Sequence, residues 1–418
     1  MLFGSSGIRR KFDQTLVDLA PRVGAAMAQD RQTVLVGTDT RTTSRLLADG
    51  VIAGLISAGA SVDVCGVAPT PTIAYGARTQ GAGCMITASH NPEAYNGLKL
   101  FNPDGSSYTL AQQQEIEEML KGEDRWAAWN KQGRLRQVDA IAVHTEAILD
   151  QITPKKEITA IVDCGNGAGC TVTPDLLKRA GVKTICLNCN PRGRFARPSE
   201  PLKESFPYLP DLIRKRGATC AVMHDGDADR MMAFDDKGRY IGGDHMLMLL
   251  TKYLGAAHVV TTSDASMAIE EIAEVRRTPV GDSFVSEELL RWGEFGGEPS
   301  GAWVFPDISL CPDGPYAAAL LCEIASEWKI STVIDEMPNY PILRESVQVD
   351  DARGILTRLG AENPTDGLRI EEEGGWCLIR ASGTEPKVRL TAEGTTPTRA
   401  KAMLVRGQDL LKKGRAKE

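Results

Sequence analysis

VLVGTDTRTTSRLLADGVIAGLISAGASVDV (34–64) decides how the chain folds. Val34-Leu35-Val36 is a β-branched apolar run short enough for a buried strand, and it ends in Gly37-Thr38-Asp39. Leu46, Leu47, Val51, Leu55 and Ile56 then recur at helical spacing, and Ala58-Gly59-Ala60 leads into Val62-Asp63-Val64. Strand, loop, helix, tight turn, strand is a βαβ unit. The same apolar run ending in small and acidic residues returns in AIVDCGNG (160–167), CAVMHDGD (220–227) and VVTTSD (259–264). After the second of these, Leu176-Leu177-Lys178-Arg179-Ala180-Gly181 leads into Thr184-Ile185-Cys186-Leu187, so the unit is written more than once. Related α/β domains in series are expected.

Outward from these units the pattern changes. From about Met337, alternating stretches such as Glu345–Val349 and Trp376–Arg380 are broken by Asp-Gly and Gly-Gly turns, and an amphipathic stretch, 397–413, closes the chain. That predicts a smaller α+β domain with an antiparallel sheet. Helices are predicted over Gln112–Leu120 and Val138–Ile152, the second as a bridge between domains. The 418 residues suit two to four domains. The net charge of −7 excludes a generally basic nucleic-acid or membrane-surface protein. No apolar run approaches the ~18 residues of a membrane span, and MLFGSSGIRR lacks the layout of a secretory signal, so a cytoplasmic chain is expected. Ten cysteines in this length are no disulfide scaffold. Cys186-Leu-Asn-Cys189 has no second CxxC and no nearby His, and reads as ordinary thiols rather than a zinc or redox site.

Polar, glycine-rich loops carry the chemistry. Thr87-Ala88-Ser89-His90-Asn91-Pro92 follows the apolar Cys84-Met85-Ile86 and can expose the Ser89 hydroxyl beside His90, with Lys99 ten residues on. A loop that merely caps a helix has the same composition. There is no GxSxG elbow, which argues against a hydrolase triad. Asp225, Asp227 and Asp229 alternate with Gly226 and Ala228, so all three carboxylates can turn onto one hard cation; the alternative is a solvated acidic turn. Gly296-Gly297-Glu298-Pro299-Ser300-Gly301 offers an acceptor and a donor of the kind sugar hydroxyls need, but also reads as an ordinary turn. Arg380-Ala381-Ser382-Gly383-Thr384-Glu385-Pro386-Lys387-Val388-Arg389 sets hydroxyls and a glycine among cations, which suits a phosphate or a solvated basic hairpin. Phe3-Gly4-Ser5-Ser6-Gly7-Ile8-Arg9-Arg10 again suggests phosphate contact through glycine and serine before Arg9, and reads equally as an ordinary mobile terminus. Together these loops point to phosphoryl transfer on a phosphosugar.

In order along the whole chain, FGSSGIRR, TASHNP, YNGLK, DGDADR, GEPSG and RASGTEPKVR resemble the α-D-phosphohexomutases. The resemblance implies three related mixed α/β domains and a smaller C-terminal α+β domain around a central cleft. Element breaks put these at 1–138, 139–240, 241–332 and 333–418. By the same resemblance Ser89 is the phosphoserine, and Asp225, Asp227 and Asp229 hold Mg²⁺ with a Ser89 phosphate oxygen. Lys99 and His90 are the implied acid/base groups, and Arg9 and Arg230 answer charge on the phosphoryl group. Glu298 and Ser300 read sugar hydroxyls, while Arg380, Ser382, Gly383, Thr384 and Arg389 hold the non-reacting phosphate.

The implied reaction interconverts glucosamine 6-phosphate and glucosamine 1-phosphate through a phosphoserine enzyme and a hexosamine or hexose 1,6-bisphosphate. Glucose or mannose phosphates are the alternative substrates. The Gly-Glu-Pro-Ser-Gly loop resembles the archaeal-type glucosamine branch more than the others, and Ala302 stands where many members have histidine. Ala228 stands where glycine is common. The implied partner is a small phosphosugar, not nucleic acid or membrane, and a homo-oligomer is compatible with it. A sugar phosphatase with an aspartate nucleophile, or a non-catalytic sugar-phosphate sensor, are the competing classes.

Overall fold

The computed structural model describes residues 2–4, 6–28, 33–122, 126–361, 366–381 and 387–415. Four sheets follow one another along the chain. The first runs, in spatial order, Ile8–Lys11, Tyr95–Phe101, Gly83–Ile86, Thr33–Thr38, Ser61–Val67 and Leu135–Gln137. Thr33–Thr38 is parallel to both neighbours, whereas Tyr95–Phe101 is antiparallel to Gly83–Ile86 with Met85 opposite Lys99. The second runs Tyr240–Ile241, Met231–Phe234, Cys220–His224, Thr159–Asp163 and Lys183–Leu187. The third runs Glu274–Thr278, His258–Thr262, Phe295–Gly297, Trp303–Phe305 and Ser309–Pro312. Both again mix parallel and antiparallel pairs. The fourth, Ile342–Gln348, Lys387–Gly394, Gly375–Ala381 and Leu368–Glu372, is antiparallel throughout. Three mixed α/β units and a smaller α+β unit are therefore present.

The recurring sequence unit is legible in the packing. On the helix Ser44–Ser57, Leu47, Val51 and Leu55 are fully buried, while Leu46 of the same apolar set is half exposed because it lies off that stripe. Gly54 lets this helix touch Gln14–Met27: a Cβ there would sit 1.8 Å from the Pro21 carbonyl oxygen. One continuous apolar core, from Ile148 to Ile330, underlies both the second and third sheets. The first and fourth sheets have cores of their own.

The bridging helix spans Ala140–Leu149, shorter than 138–152 because the Asp139 side chain caps its start. Its His144 is fully buried, with Nδ1 3.0 Å from Thr72 Oγ1 and Nε2 2.8 Å from Asp313 Oδ2. Thr72 lies on the helix Thr70–Gln80 and Asp313 caps Gly314–Glu327, so one imidazole joins the first and third units. Tyr240–Ile241 carries the second sheet past residue 240 by pairing with Phe234 and Ala233, and the helix Ile330–Asp335 runs across residue 332. No described helix is long and apolar enough to cross a membrane.

Candidate active site

The loops singled out above leave the C-terminal ends of strands. Ser89 follows Gly83–Ile86, Asp225 follows Cys220–His224 directly, and Glu298 follows Phe295–Gly297 directly. That is where open α/β sheets present ligands.

Ser89 is buried and holds a left-handed backbone, φ +49°, a sparsely populated region for a residue with a Cβ. The turn is held from several sides. Ser89 N–H donates to Thr87 Oγ1 at 2.8 Å, and Thr87 in turn donates to Asp39 Oδ2. Arg41, also buried, spends all five N–H donors here. Its Nε reaches Asp39, and its two terminal nitrogens reach the carbonyls of Ser89, Asn91, Pro92 and Tyr95 at 2.7–3.0 Å. Phe195 lies 5.0 Å from the same guanidinium.

The acidic loop closes onto this turn. Ser89 Oγ donates to Asp225 Oδ2 at 2.8 Å and lies 3.4 Å from Asp229 Oδ1. Ser199 joins the two loops: its hydroxyl donates to the Ser89 carbonyl at 3.1 Å and accepts the Gly226 N–H at 2.9 Å. Only glycine fits at 226, because a Cβ would meet Ser89 O at 2.8 Å and the Phe195 ring at 2.7 Å. Ala228 adopts φ +54°, which accounts for the glycine common at such a position, yet its Cβ is accommodated in a buried site.

The three aspartates offer carboxylate oxygens within 4.8 Å of one another, and Asp227 Oδ1 is buried without a partner. A compact set of hard oxygen donors with an unspent acceptor fits a divalent hard cation. Lys99 already answers part of the charge. Its Nζ lies 2.9 Å from Asp227 Oδ2 and also pairs with Asp229. Burial alone would lower the Lys99 pKa, but the two carboxylates outweigh it and hold the ammonium above its ordinary range. Burial and the neighbouring Asp229 and Asp227 push the Asp225 carboxyl upward. Asp227 goes the other way: burial is outweighed by Lys99 and by the Thr70 hydroxyl, which donates to it.

His90, by contrast, is pushed down to about 2 by burial and then by the adjacent Arg230 and Arg9, and its Nδ1 has no partner. The imidazole is neutral in a basic corner that suits a phosphate dianion. Arg9 Nη2 donates to Ser6 Oγ at 3.0 Å, and Arg230 faces Glu200 at 3.6 Å.

A bridge between Arg230 and Ala302 lays the third unit's loop against the acidic loop, reinforced by Met231 N–H donating to the Gly301 carbonyl. Ser300 Oγ donates to Glu298 Oε2 at 3.2 Å, while the buried Glu298 Oε1 has no partner. Burial, then Asp282, pushes the Glu298 carboxyl up to about 7. Arg380 and Arg389 face each other across adjacent strands of the fourth sheet, at the neck of the last hairpin. Ser382, Gly383 and Thr384 lie outside the described residues.

Thus Ser89, His90, Lys99, Asp225, Asp227, Asp229 and Arg230 converge, with Arg9 and Glu298 beside them. Sequence reasoning missed Asp39, Arg41, Thr70 and Ser199. Asp39 was visible only as the end of a strand, and Ser199 only as a residue of Arg197-Pro198-Ser199-Glu200-Pro201, a stretch with no separate signal.

The chain belongs to the phosphoglucomutase/phosphomannomutase family. The family's α/β/α domains I, II and III match residues 1–126, 139–238 and 242–340, and its C-terminal domain matches 344–406. Among its relatives is a protein named as a probable phosphoglucosamine mutase in Methanocella arvoryzae, 40% identical over 430 residues, covering 99% of this chain and 98% of the relative. Another is a phosphoglucosamine mutase of Methanococcus aeolicus, 39% identical over 447 residues, with 99% and 98% covered. A crystal structure of a phosphoglucomutase/phosphomannomutase family protein from Burkholderia thailandensis superposes with a TM-score of 0.84 at 25% identity, covering 99% of this chain and 96% of that one. The protein is a phosphohexomutase-type isomerase.

Proposed function

We propose that the protein interconverts glucosamine 6-phosphate and glucosamine 1-phosphate, with Ser89 carrying the phosphoryl group. The observation that carries this reading is the Ser89 hydroxyl held 2.8 Å from Asp225, inside a cluster of three carboxylates and three cations. The names of the relatives support the sugar. Mg²⁺, which Asp225, Asp227, Asp229 and a Ser89 phosphate oxygen would hold, supplies neutralisation of charge on the transferring phosphoryl group.

The chain's own residues do the rest. Arg41, Thr87 and Ser199 fix the Ser89 turn, so the donor oxygen is positioned before substrate arrives. Arg9 and Arg230 face the developing charge. His90, with a free ring nitrogen, takes or returns the sugar hydroxyl proton once a phosphate dianion offsets the Arg230 and Arg9 charges that add to burial in depressing its basicity. Lys99 neutralises the aspartates while its ammonium stays bound to them. Phospho-Ser89 gives its phosphoryl group to the free hydroxyl, a 1,6-bisphosphate forms and turns end for end, and the other phosphate returns to Ser89. Arg380 and Arg389, with Ser382, Gly383 and Thr384, are assigned the phosphate that is not reacting. Glu298 and Ser300 receive the sugar, Glu298 Oε1 accepting from the C2 amine.

Turnover of glucosamine, glucose and mannose phosphates with the matching bisphosphate primer tests this. The reading expects isomerisation without net phosphate release and a preference for glucosamine phosphate of about tenfold or more, the difference between a charge-assisted and a neutral hydrogen bond. Equal or better turnover of glucose or mannose phosphate would assign the protein to that other branch.

A further inference from the structure

Behind the acidic loop, in the second unit, lies a cluster of thiols that the transfer chemistry does not use. Cys164 follows the strand Thr159–Asp163, Cys170 sits on the short turn Ala168–Thr171, and Cys189 lies two residues past Lys183–Leu187. Parallel pairing of Asp163 with Leu187 brings these strand ends together. The Cys164 thiol hydrogen-bonds with those of Cys170 and Cys189, and those two contact each other. Cys189 Sγ lies 3.1 Å from the Leu187 carbonyl oxygen and 3.7 Å from that of Val162, and Cys170 Sγ lies 3.6 Å from that of Asn188. Cys164 is buried, Cys170 and Cys189 are half-buried, and Cys186, which touches only Cys189 of the three, is exposed.

We propose that Cys170 and Cys189 form a hydroperoxide-responsive thiol pair that closes to a disulfide and slows phosphoryl transfer. The Cys170 thiolate attacks the terminal oxygen of a hydroperoxide; the O–O bond breaks, and the leaving alkoxide takes a proton and departs as the alcohol. The Cys189 sulfur then attacks the Cys170 sulfenic acid, the S–O bond breaks, and water leaves with the remaining proton as the S–S bond forms. Two thiols are oxidised and one hydroperoxide is reduced. Hydrogen bonds from Cys164 and Cys189 hold the Cys170 thiol below the usual thiol range, whereas Cys164, which bonds both Cys170 and Cys189 and is buried, is held above it. The more acidic of the sulfurs is thus also a reachable one.

The route to the active site is short. Cys164 leads into Gly165 and Asn166, both in the left-handed region at φ +57° and +63°. Asn166 N–H donates to the Asn188 carbonyl at 2.6 Å, and Asn188 itself has φ +50°. On its other side this loop meets the catalytic loops: Thr40 Oγ1 donates to the Asn166 carbonyl, and Ala168 N–H donates to the Gly226 carbonyl at 2.8 Å. Drawing Cys170 onto Cys189 shifts the turn that carries Ala168, two residues away, whose N–H holds the Gly226 carbonyl between Asp225 and Asp227.

The test uses the reduced, full-length enzyme treated with hydrogen peroxide or cumene hydroperoxide, alkylated, and mapped without reduction, with fragmentation to assign each sulfur. The expected result is a Cys170–Cys189 cross-link, with mutase activity falling by about fivefold or more and returning with dithiothreitol. Cys170→Ser keeps its activity under peroxide, and Cys189→Ser stops at a sulfenic acid on Cys170 that dimedone traps. A wild-type protein that forms no Cys170–Cys189 link, or links Cys186 to Cys189 instead, overturns the pair. A cross-link that leaves activity unchanged overturns its connection to the Gly226 loop.

Discussion

The Arg41 guanidinium donates a 2.7 Å hydrogen bond to the backbone carbonyl of Ser89, from a buried position where it also binds Asp39. A planar fork with every donor engaged has no substitute among the other side chains. Arg41→Ala leaves the buried Asp39 carboxylate without its charge partner and is expected to cost roughly 3–5 kcal/mol of stability. Arg41→Lys keeps the charge but loses most of the carbonyl contacts, so denaturant titration should place it between the wild type and Arg41→Ala. Turnover should fall in both, and a fully active Arg41→Lys enzyme would show that the fork does not position Ser89.

Ser199 sits between two loops it does not belong to, with one bond to Ser89 and one to Gly226. Ser199→Ala leaves the buried Gly226 N–H without its acceptor, while the Ser89 carbonyl keeps Arg41, and should cost about 1–3 kcal/mol. Because this hydroxyl is spent on the two loops, kcat should drop while KM changes little. A change confined to KM would argue for a different role.

Ser89→Ala tests the nucleophile itself. Intact-mass analysis of the wild type should show a species heavier by one phosphate, and the variant should lose both that species and nearly all turnover. Normal turnover in the variant would refute a phosphoserine mechanism.

Lys99 pairs with Asp227 and Asp229 inside the protein, so the acidic trio does not depend on a metal for its burial. Removing divalent ions with a chelator should abolish transfer yet leave the fold intact. Adding Mg²⁺ should raise the thermal midpoint by mass action, about 2.7 kcal/mol at a hundredfold excess over Kd. Unfolding on chelation would contradict an open site.

Burial, then Asp282, pushes the Glu298 carboxyl up to about 7 in the folded protein from an ordinary value of 4.5. Between those values the folded state keeps a proton that the unfolded chain has released, so this group's stabilising contribution is full below pH 4.5 and is lost as pH rises through 7. The carboxylate that receives an ammonium grows over the upper part of the same window. The ratio of kcat/KM for glucosamine phosphate to that for glucose phosphate should therefore rise from pH 6 to 8, and Glu298→Gln should flatten it. Denaturant stability of the wild type should fall relative to the variant as pH rises from 5 to 8.

The repeating βαβ units and the reactive loops were legible because each is local: apolar runs such as Val34–Val36 or Cys220–Met223 end in the residues that do chemistry. What holds those loops together was not. Arg41 contacts residues about fifty positions away, Thr70 reaches Asp227, and Ser199 reaches Ser89. An arginine or a serine that bonds backbone carbonyls leaves no composition or spacing to read. The thiol cluster was hidden for the same reason, since Cys164 and Cys170 lie far from the CxxC that drew attention. Leu46 shows the reverse limit, an apolar residue of the helical run that lies off the buried stripe and is left half exposed.

The Ser89–Asp225 hydrogen bond spans 136 residues. During synthesis at ~5–20 residues per second, the nucleophile leaves the ribosome roughly 7–27 seconds before its carboxylate partner does. For most of that interval the nascent chain carries the Arg41 and Thr87 contacts to the serine turn but neither Ser199 nor the acidic loop. The Ser89 hydroxyl therefore spends that interval without its carboxylate partner.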